Sequence, residues 1–189
     1  MLYSMSNLNR GVHPWFFYLS LSGRPCAPHM KKTRILHRII ENLAADLAVV
    51  FNAAKTAHEA SIHEENIADN EYGTLSIEAS YIAQGQANRA QEIKIALDTY
   101  RKLKVKDFLD DSAIRLTAMV TLESDNGPRK TVFLGPHSGG LKIQDNDVEI
   151  VVITPDSPLG RALIGKFAGD RVEMRINNAS VEFEIIQVC

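Results

Sequence analysis

An acidic stretch in the first half of the chain carries the side chains with the clearest chemical use. Between Lys55 and Arg89 neither lysine nor arginine occurs. The carboxylates within this stretch are Glu59, Glu64, Glu65, Asp69, Glu71 and Glu78. Carboxylates are ligands that Mg²⁺ prefers, and a cluster of them attracts basic surfaces. The stretch is typical either of a solvated helix face or of a group that enters a basic pore and shares a metal ion with a partner.

Two other patterns resemble catalytic motifs but lack the features that such chemistry needs. His58 and His63 are five residues apart, which turns them about 140° from each other around a helix. A zinc-protease site needs two histidines four residues apart on one face. Residues 135–140 read Gly-Pro-His-Ser-Gly-Gly, without the Lys-Ser/Thr ending of a phosphate loop. We therefore expect a strand-connecting loop there and no self-contained enzyme.

The composition argues against several further classes of protein. The chain has 189 residues, 45% hydrophobic and 23% charged, with a formal net charge of -2, so it offers no overall cationic field for duplex DNA. Its longest apolar run near the start, residues 15–19, is far short of the roughly 20 residues that cross a bilayer. Cys26 and Cys189 form no C-x-x-C pair, which supports neither a cysteine zinc site nor a disulfide framework. We expect a cytoplasmic protein without a membrane partner.

Two long helices are predicted on either side of the acidic stretch. Apolar residues in the first helix are spaced alternately by four and three, at Leu36, Ile40, Leu43, Leu47, Val50, Ala54 and Ala57. A second seam, in which Ala90 is one step off, runs through Leu75, Ala79, Ile82, Gln86, Ala90, Ile93, Ala96, Tyr100 and Leu103. Such spacing is that of a coiled coil. Residues 30–106 are therefore predicted to form an antiparallel coiled-coil hairpin with an acidic tip.

The hydrophobic period changes after residue 106, where strands are predicted. Residues 114–122 alternate, Asp125-Asn126-Gly127 is a hairpin-turn signal, and strands follow at 130–134, 148–154, 171–176 and 181–188. Ser157 and Pro158 are typical of the start of a short helix, which would end at Gly165. We expect an α+β chain whose residues 107–189 form a small twisted sheet with one short helix. Residues 1–29 contain no Asp or Glu and no period, and form either an upstream extension that is not native or a disordered arm.

The segment from Thr154 to Met174 resembles the C-terminal signature of the Gre transcript-cleavage factors of bacterial RNA polymerase. That signature reads S-P-L-G-x-A-L-x-G-x-x-x-G-D-x-V-x, and it matches residues 157–173. The resemblance covers about residues 31–189 and includes the order of parts, because that family joins an N-terminal coiled-coil hairpin to an FKBP-like C-terminal domain. It implies a protein that binds RNA polymerase at the secondary channel and touches nascent RNA and DNA only indirectly, as a monomer.

The resemblance also implies a role for the acidic tip. In Gre factors two tip acids in the pattern D-x-x-E-N help to hold the second catalytic Mg²⁺ of the polymerase, which then cleaves backtracked RNA. The factor has no cofactor of its own and is not itself an enzyme. The corresponding acids here are Glu65, Asp69 and Glu71, of which Asp69 and Glu65 would share the Mg²⁺. Asn66 stands at the position of the first acid, so a channel-binding regulator without cleavage activity is the alternative.

Residues around the short helix are the candidates for contact with the polymerase. They are Asp156, Ser157, Pro158, Arg161 and Lys166. Ser157 and Pro158 are equally explained by capping of the helix.

A third alternative is an FKBP-like chaperone or prolyl isomerase. It is disfavoured because the aromatic residues after residue 107 are limited to four phenylalanines, whereas such a substrate pocket is walled by several aromatic rings.

Overall fold

The computed structural model describes residues 28–65, 73–109, 111–124, 127–176 and 179–189. Its helices are α1 (Pro28–Glu65), α2 (Gly73–Lys102) and α3 (Pro158–Leu163). Its strands are β1 (Met119–Glu123), β2 (Lys130–Leu134), β3 (Lys142–Asp145), β4 (Val148–Ile153), β5 (Arg171–Ile176) and β6 (Ala179–Val188). The α+β class predicted from the sequence is confirmed. No helix among these residues is long and apolar enough to span a membrane.

The two long helices pack against each other, and together we call them the helical rod. Ile35, Ile39 and Leu43 near the start of α1 share one buried cluster with Ile93 and Leu97 near the end of α2. The start of one helix therefore lies beside the end of the other, so the two run antiparallel. α1 begins at Pro28, two residues before the boundary expected from the sequence. The residues that connect the two helices, 66–72, lie outside the described part of the chain.

The buried face of the rod differs in part from the predicted seam. Near the base of α1 the fully buried positions are Ile35 and Ile39, whereas the predicted seam residues Leu36 and Ile40 are only partly buried. The reason is that the sheet covers a second face of α1, which adds a set of contacts that a two-helix pattern does not include. In the first half of α2, away from the sheet, Ile82 is a predicted seam residue but is 57% exposed.

The six strands form one sheet in the order β3-β4-β2-β1-β6-β5. All neighbours are antiparallel except β2 and β4, which pair in parallel with Leu134 opposite Ile153. The predicted strand at 114–122 begins only at Met119. Before that point Thr117 adopts a positive φ of 74°, and the backbone of Ile114 pairs with Lys166 instead of a strand. β3 was not predicted, because it has only four residues.

The sheet separates two cores, since successive side chains of a strand point to opposite faces. On β2, Phe133 joins the cluster that contains the rod, whereas Val132 and Leu134 join the other cluster. That second cluster also contains Leu163 of α3. The rod therefore covers one face of the sheet, and α3 covers the other.

The carboxyl end of the chain lies against the start of β1. Cys189 exchanges two backbone hydrogen bonds of 2.8 Å with Met119, and its side chain is buried in the cluster beneath the rod. The expectation about a disulfide framework also concerns the second cysteine, Cys26. Cys26 lies outside the described residues.

Candidate functional site

The short helix α3 is built by a cap that the sequence indicated. Ser157 has an extended backbone, accepts a hydrogen bond from the Gly160 amide at 3.0 Å and donates its hydroxyl to the Thr154 carbonyl at 2.7 Å. Pro158 occupies the first helical position, where its missing amide hydrogen costs nothing. These two candidate contact residues therefore have a structural role, which is to start α3 at a fixed place beside β4.

Gly160 lies where only glycine fits. A Cβ atom at this position would overlap the backbone carbonyl of Thr154 and approach the Ser157 hydroxyl at 2.9 Å. One turn later Leu163 is fully buried and anchors α3 to the sheet. The small residue and the anchor together hold the helix close against the chain that precedes it.

The outer surface of α3 and of the loop after it carries charge and apolar groups side by side. Asp156, Arg161 and Lys166 are exposed, as the sequence led us to expect, and Ile164 and Phe167 are 44% and 45% exposed. We call these five residues the α3 surface. Sequence reasoning did not select Ile164 and Phe167 as contact residues. The signal that could have identified them is that these two apolar residues follow a helix of only six residues.

The loop of the α3 surface has a defined shape. The Phe167 amide donates to the Asp170 carboxylate at 2.8 Å, and Gly165 and Gly169 take the positive φ values of 80° and 89° that favour glycine. The Ile114 amide donates to the Lys166 carbonyl at 2.8 Å. These bonds fix the backbone that carries Ile164 and Phe167, so the surface is preformed.

The acidic tip falls largely outside the described residues. Asp69 and Glu71 lie in the segment 66–72, together with Asn66, and of Glu65 only its place at the end of α1 is described. Glu59 and Glu78, which flank the tip, are exposed. In the described ranges no group of three or more His, Cys, Asp or Glu side chains is arranged to hold a metal ion. The assignment of a shared Mg²⁺ to Asp69 and Glu65 therefore stays a prediction.

Polar contacts at the base of the rod join it to the sheet, and sequence reasoning missed them. Arg34 donates to the Asp145 carboxylate at 2.7 Å, and Arg38 donates to the Gln144 carbonyl at 2.8 Å. Lys32 is fully buried, donates to the Lys106 carbonyl and lies 4.6 Å from the centre of the Phe108 ring. Desolvation by burial lowers the pKa of Lys32, and the nearby Asp107 carboxylate opposes that shift.

On the other side of the base, Tyr100 of α2 reaches the loop between β2 and β3. The loop is residues 135–141, so the expectation of a strand-connecting loop at 135–140 is confirmed. The Tyr100 hydroxyl donates to the His137 carbonyl at 2.7 Å. A Cβ atom on Gly135 would overlap that hydroxyl. The glycine therefore admits the tyrosine, and the rod is held to the sheet from both of its helices.

Tyr100 gives the junction a dependence on alkaline pH. Burial raises the pKa of Tyr100 to about 12, whereas an unfolded tyrosine ionises near pH 10. Between these values the unfolded chain loses the proton and the folded chain keeps it, so the free energy of unfolding falls by roughly 2–3 kcal/mol in total. Tyr100→Phe removes the ionising hydroxyl, and with it this alkaline fall in the free energy of unfolding. We expect the variant to be about 1 kcal/mol less stable at pH 8 and to lose that disadvantage as the pH approaches 12.

Urea unfolding of the wild type and Tyr100→Phe at a series of pH values checks this expectation. The difference between the two proteins isolates Tyr100, because every other titrating group is common to both. A difference that is constant from pH 8 to pH 12 would contradict the assignment of the raised pKa to this residue.

Comparisons with known proteins identify relatives of the part of the chain that forms the sheet and α3. A family described as "Transcription elongation factor, GreA/GreB, C-term" matches residues 109–189. The transcription elongation factor GreA of Christiangramia forsetii is 31% identical over 121 residues, which cover 61% of this chain and 73% of that protein. GreA of Rickettsia canadensis is 32% identical over 129 residues, covering 66% of this chain and 76% of the relative.

A solved structure similar to the chain is that of GreA factor homolog 1 (Gfh1) of Thermus thermophilus. The similarity covers 82% of this chain and 93% of the other, at 17% identity and a TM-score of 0.34. The family match over the sheet and the GreA relatives that extend beyond it agree in their assignment. The chain therefore belongs to the GreA/GreB family of transcription elongation factors.

Proposed function

We propose that this chain binds bacterial RNA polymerase at the secondary channel and stimulates cleavage of backtracked RNA. The observation that carries the proposal is the run of carboxylates between Lys55 and Arg89, of which the exposed Glu59 and Glu78 lie on the part of the rod remote from the sheet. The rod meets the sheet through residues such as Ile35 and Tyr100. From Leu43 to Glu65 the helix continues for about 33 Å, at 1.5 Å per residue. Carboxylates carried that far from the globular part suit delivery into a narrow, basic channel.

The chemistry belongs to the polymerase, and this chain supplies ligands. As a member of an elongation-factor family it is a factor and not an enzyme with a substrate of its own. Asp69 and Glu65 would complete the coordination of a Mg²⁺ that the polymerase holds only in part, with Glu71 beside them. The metal, once bound, stabilises the attacking and leaving oxygens of the phosphodiester. Contact with nascent RNA and DNA is then indirect.

Each part of the chain has a role in this function. The rod acts as a coiled-coil hairpin, and the sheet with α3 acts as an FKBP-like docking domain. The α3 surface makes the contact with the polymerase, in which Asp156, Arg161 and Lys166 supply charge while Ser157 and Pro158 hold them in place. The protein works as a monomer in the cytoplasm, where the polymerase is.

A second candidate function has one specific observation in its favour. Asn66 stands where a carboxylate is expected, and a neutral amide is a weaker Mg²⁺ ligand than a carboxylate. A factor of this kind would occupy the channel without stimulating cleavage. The prolyl isomerase alternative has less support, because Phe108, Phe133 and Phe183 are buried in the two cores.

Cleavage by a stalled, backtracked RNA polymerase complex tests the proposal. The full chain is added with Mg²⁺, and release of 3′ RNA fragments is measured for wild type and Asp69→Asn. We expect the substitution to reduce factor-dependent cleavage by roughly tenfold or more, since a metal ligand is lost. Glu59→Gln is the matched control, because it removes the same charge from an exposed position outside the proposed ligand set.

Each outcome of this assay separates the candidate functions. Cleavage that is lost in Asp69→Asn and kept in Glu59→Gln supports a working cleavage factor. Binding to the polymerase without cleavage favours the channel-binding regulator, and a gain of cleavage in Asn66→Asp would then identify the missing acid. Absence of binding would overturn both.

A further inference from the structure

The rod is seated on the sheet by a shared apolar core. The rod contributes Ile35, Ile39, Leu43, Ile93, Ala96, Leu97 and Tyr100, and the sheet side contributes Met119, Phe133, Ile143, Ile150, Val152 and Cys189. Burial of apolar surface is favourable but non-directional. This core keeps the rod attached to the sheet. The angle at which the rod leaves it depends more on the directional polar contacts around the rim of the core.

The ion pair between Arg34 and Asp145 is one of these polar contacts, and it joins α1 to β3. Its N–O distance is 2.7 Å, and the Asp145 side chain is only 6% exposed, whereas that of Arg34 is 47% exposed. Of the ion pairs formed between described residues, this is the one that joins the rod to the sheet. The others lie within the rod or within the sheet, as for Arg89 with Glu92 and Lys142 with Glu149.

Asp145 is held at an energetic cost. Only one of its carboxylate oxygens contacts Arg34, and the buried Oδ1 has no hydrogen-bond donor among the described residues. Burying a carboxylate with incomplete pairing is unfavourable, so such a pair adds little stability over an apolar replacement. A buried charge that is costly and yet fixed by a single partner is suited to specifying geometry.

Two neighbouring hydrogen bonds also hold the direction of the rod. Arg38, one helical turn after Arg34, donates to the carbonyl of Gln144, the residue next to Asp145. Gln144 and Asp145, the last two residues of β3, thus each accept a hydrogen bond from an arginine of α1. On the opposite side of the base the Tyr100 hydroxyl donates to the His137 carbonyl. A tilt of the rod therefore lengthens a hydrogen bond on at least one side of its base.

A small tilt at the base has a large effect at the far end. For a lever of about 33 Å, which is the length of α1 beyond Leu43, a tilt of about 10° moves the end by roughly 6 Å. Carboxylate ligands bind Mg²⁺ at about 2.0–2.1 Å, so a displacement of that size removes a ligand from its metal. The direction of the rod therefore has to be fixed where it meets the sheet.

We propose that Arg34 and Asp145 form a polar lock that fixes the direction of the rod relative to the sheet. They are positioning residues and touch neither metal nor RNA. The lock itself does not depend on the function proposed above; its consequence for cleavage does rest on that function.

The distance between rod and sheet in the full chain tests the lock without any polymerase. Spin labels are attached through azide-bearing residues that replace Thr56 on α1 and Arg175 on β5, both exposed, and this route avoids the cysteines. Pulsed electron resonance then gives the distribution of label separations. We expect one narrow distribution in the wild type, and a shift or broadening on the order of a few ångströms in Arg34→Gln and Asp145→Asn.

Two matched variants make the measurement specific. Glu149→Gln breaks the exposed ion pair with Lys142 at 3.1 Å, on the same edge of the sheet but without contact to the rod, and is expected to leave the distribution unchanged. Arg34→Lys keeps the charge and is expected to stay close to the wild type. Asp145→Asn has nearly the same shape as the native residue, so it decides the question if Arg34→Gln does not fold.

The results distinguish the lock from the proposed function. Identical distributions in the wild type and both lock variants would overturn the lock, whatever the cleavage assay shows. A broadened distribution together with reduced cleavage supports the lock and its consequence. A broadened distribution with a wild type that stimulates no cleavage supports the lock and counts against the proposed cleavage function alone.

Discussion

Replacing Phe133 by alanine is expected to lower the free energy of unfolding by about 3–5 kcal/mol. Phe133 is fully buried and lies on β2, between β1 and β4. Its ring belongs to the core that the rod and the sheet share. Truncation leaves a cavity that neither side can fill without moving the other, so we also expect the rod to be less firmly seated.

Chemical unfolding of matched variants measures this effect. Phe167→Ala removes the same ring from a position that is 45% exposed and is expected to cost less than about 1 kcal/mol. Phe133→Leu keeps most of the volume and should cost below about 1.5 kcal/mol. If Phe133→Ala and Phe167→Ala lower the free energy of unfolding equally, Phe133 does not lie in a core shared by the rod and the sheet.

Gly160→Ala is expected to cost about 2–3 kcal/mol and to displace α3 from the sheet. The new Cβ would overlap the Thr154 carbonyl, which is backbone and cannot rotate away. Relief requires α3 to move, which breaks the bond from the Gly160 amide to the Ser157 hydroxyl. The α3 surface would lose its shape, so binding to the polymerase should weaken together with stability.

The same substitution elsewhere in the chain is the control for this prediction. Gly85 is exposed in α2, and nothing lies within 4 Å of the position that a Cβ atom would take there. Glycine is a poorer helix former than alanine, so Gly85→Ala is expected to stabilise the chain by about 0.5–1 kcal/mol. A thermal unfolding series that shows no difference in sign between the two variants would contradict the close approach of α3.

The local parts of the fold could be predicted from the sequence because their causes are local. The strands at 130–134 and 171–176 were predicted with the bounds that the structure gives. α3 starts at Pro158 behind a Ser157 cap, as expected. Alternation, turn residues and caps act over a few neighbours and therefore leave a readable pattern.

The parts that were missed depend on contacts between distant segments. Arg34 and Asp145 are 111 residues apart, and neither has a local pattern that marks it as a partner. Ile35 is buried in place of Leu36 for the same reason, because the sheet covers that side of α1. For the candidate site the sequence selected the charged residues of the α3 surface by their type. It could not select Ile164 and Phe167, because whether an apolar side chain is exposed depends on the whole fold.

The position of β6 in the sheet has a consequence for how the chain is synthesised. β6 is the last strand in the sequence, yet it lies between β1 and β5. On the ribosome the two rod helices emerge before the strands, and their contacts with each other are available early. The apolar face around Ile35 and Tyr100, however, finds its cover only when the strands that follow have paired. Until residues 179–188 are made, β1 has an open edge, which is a point at which nascent chains associate wrongly. We therefore expect the rod helices to fold before the sheet, and the edge of β1 to be unpaired in the interval.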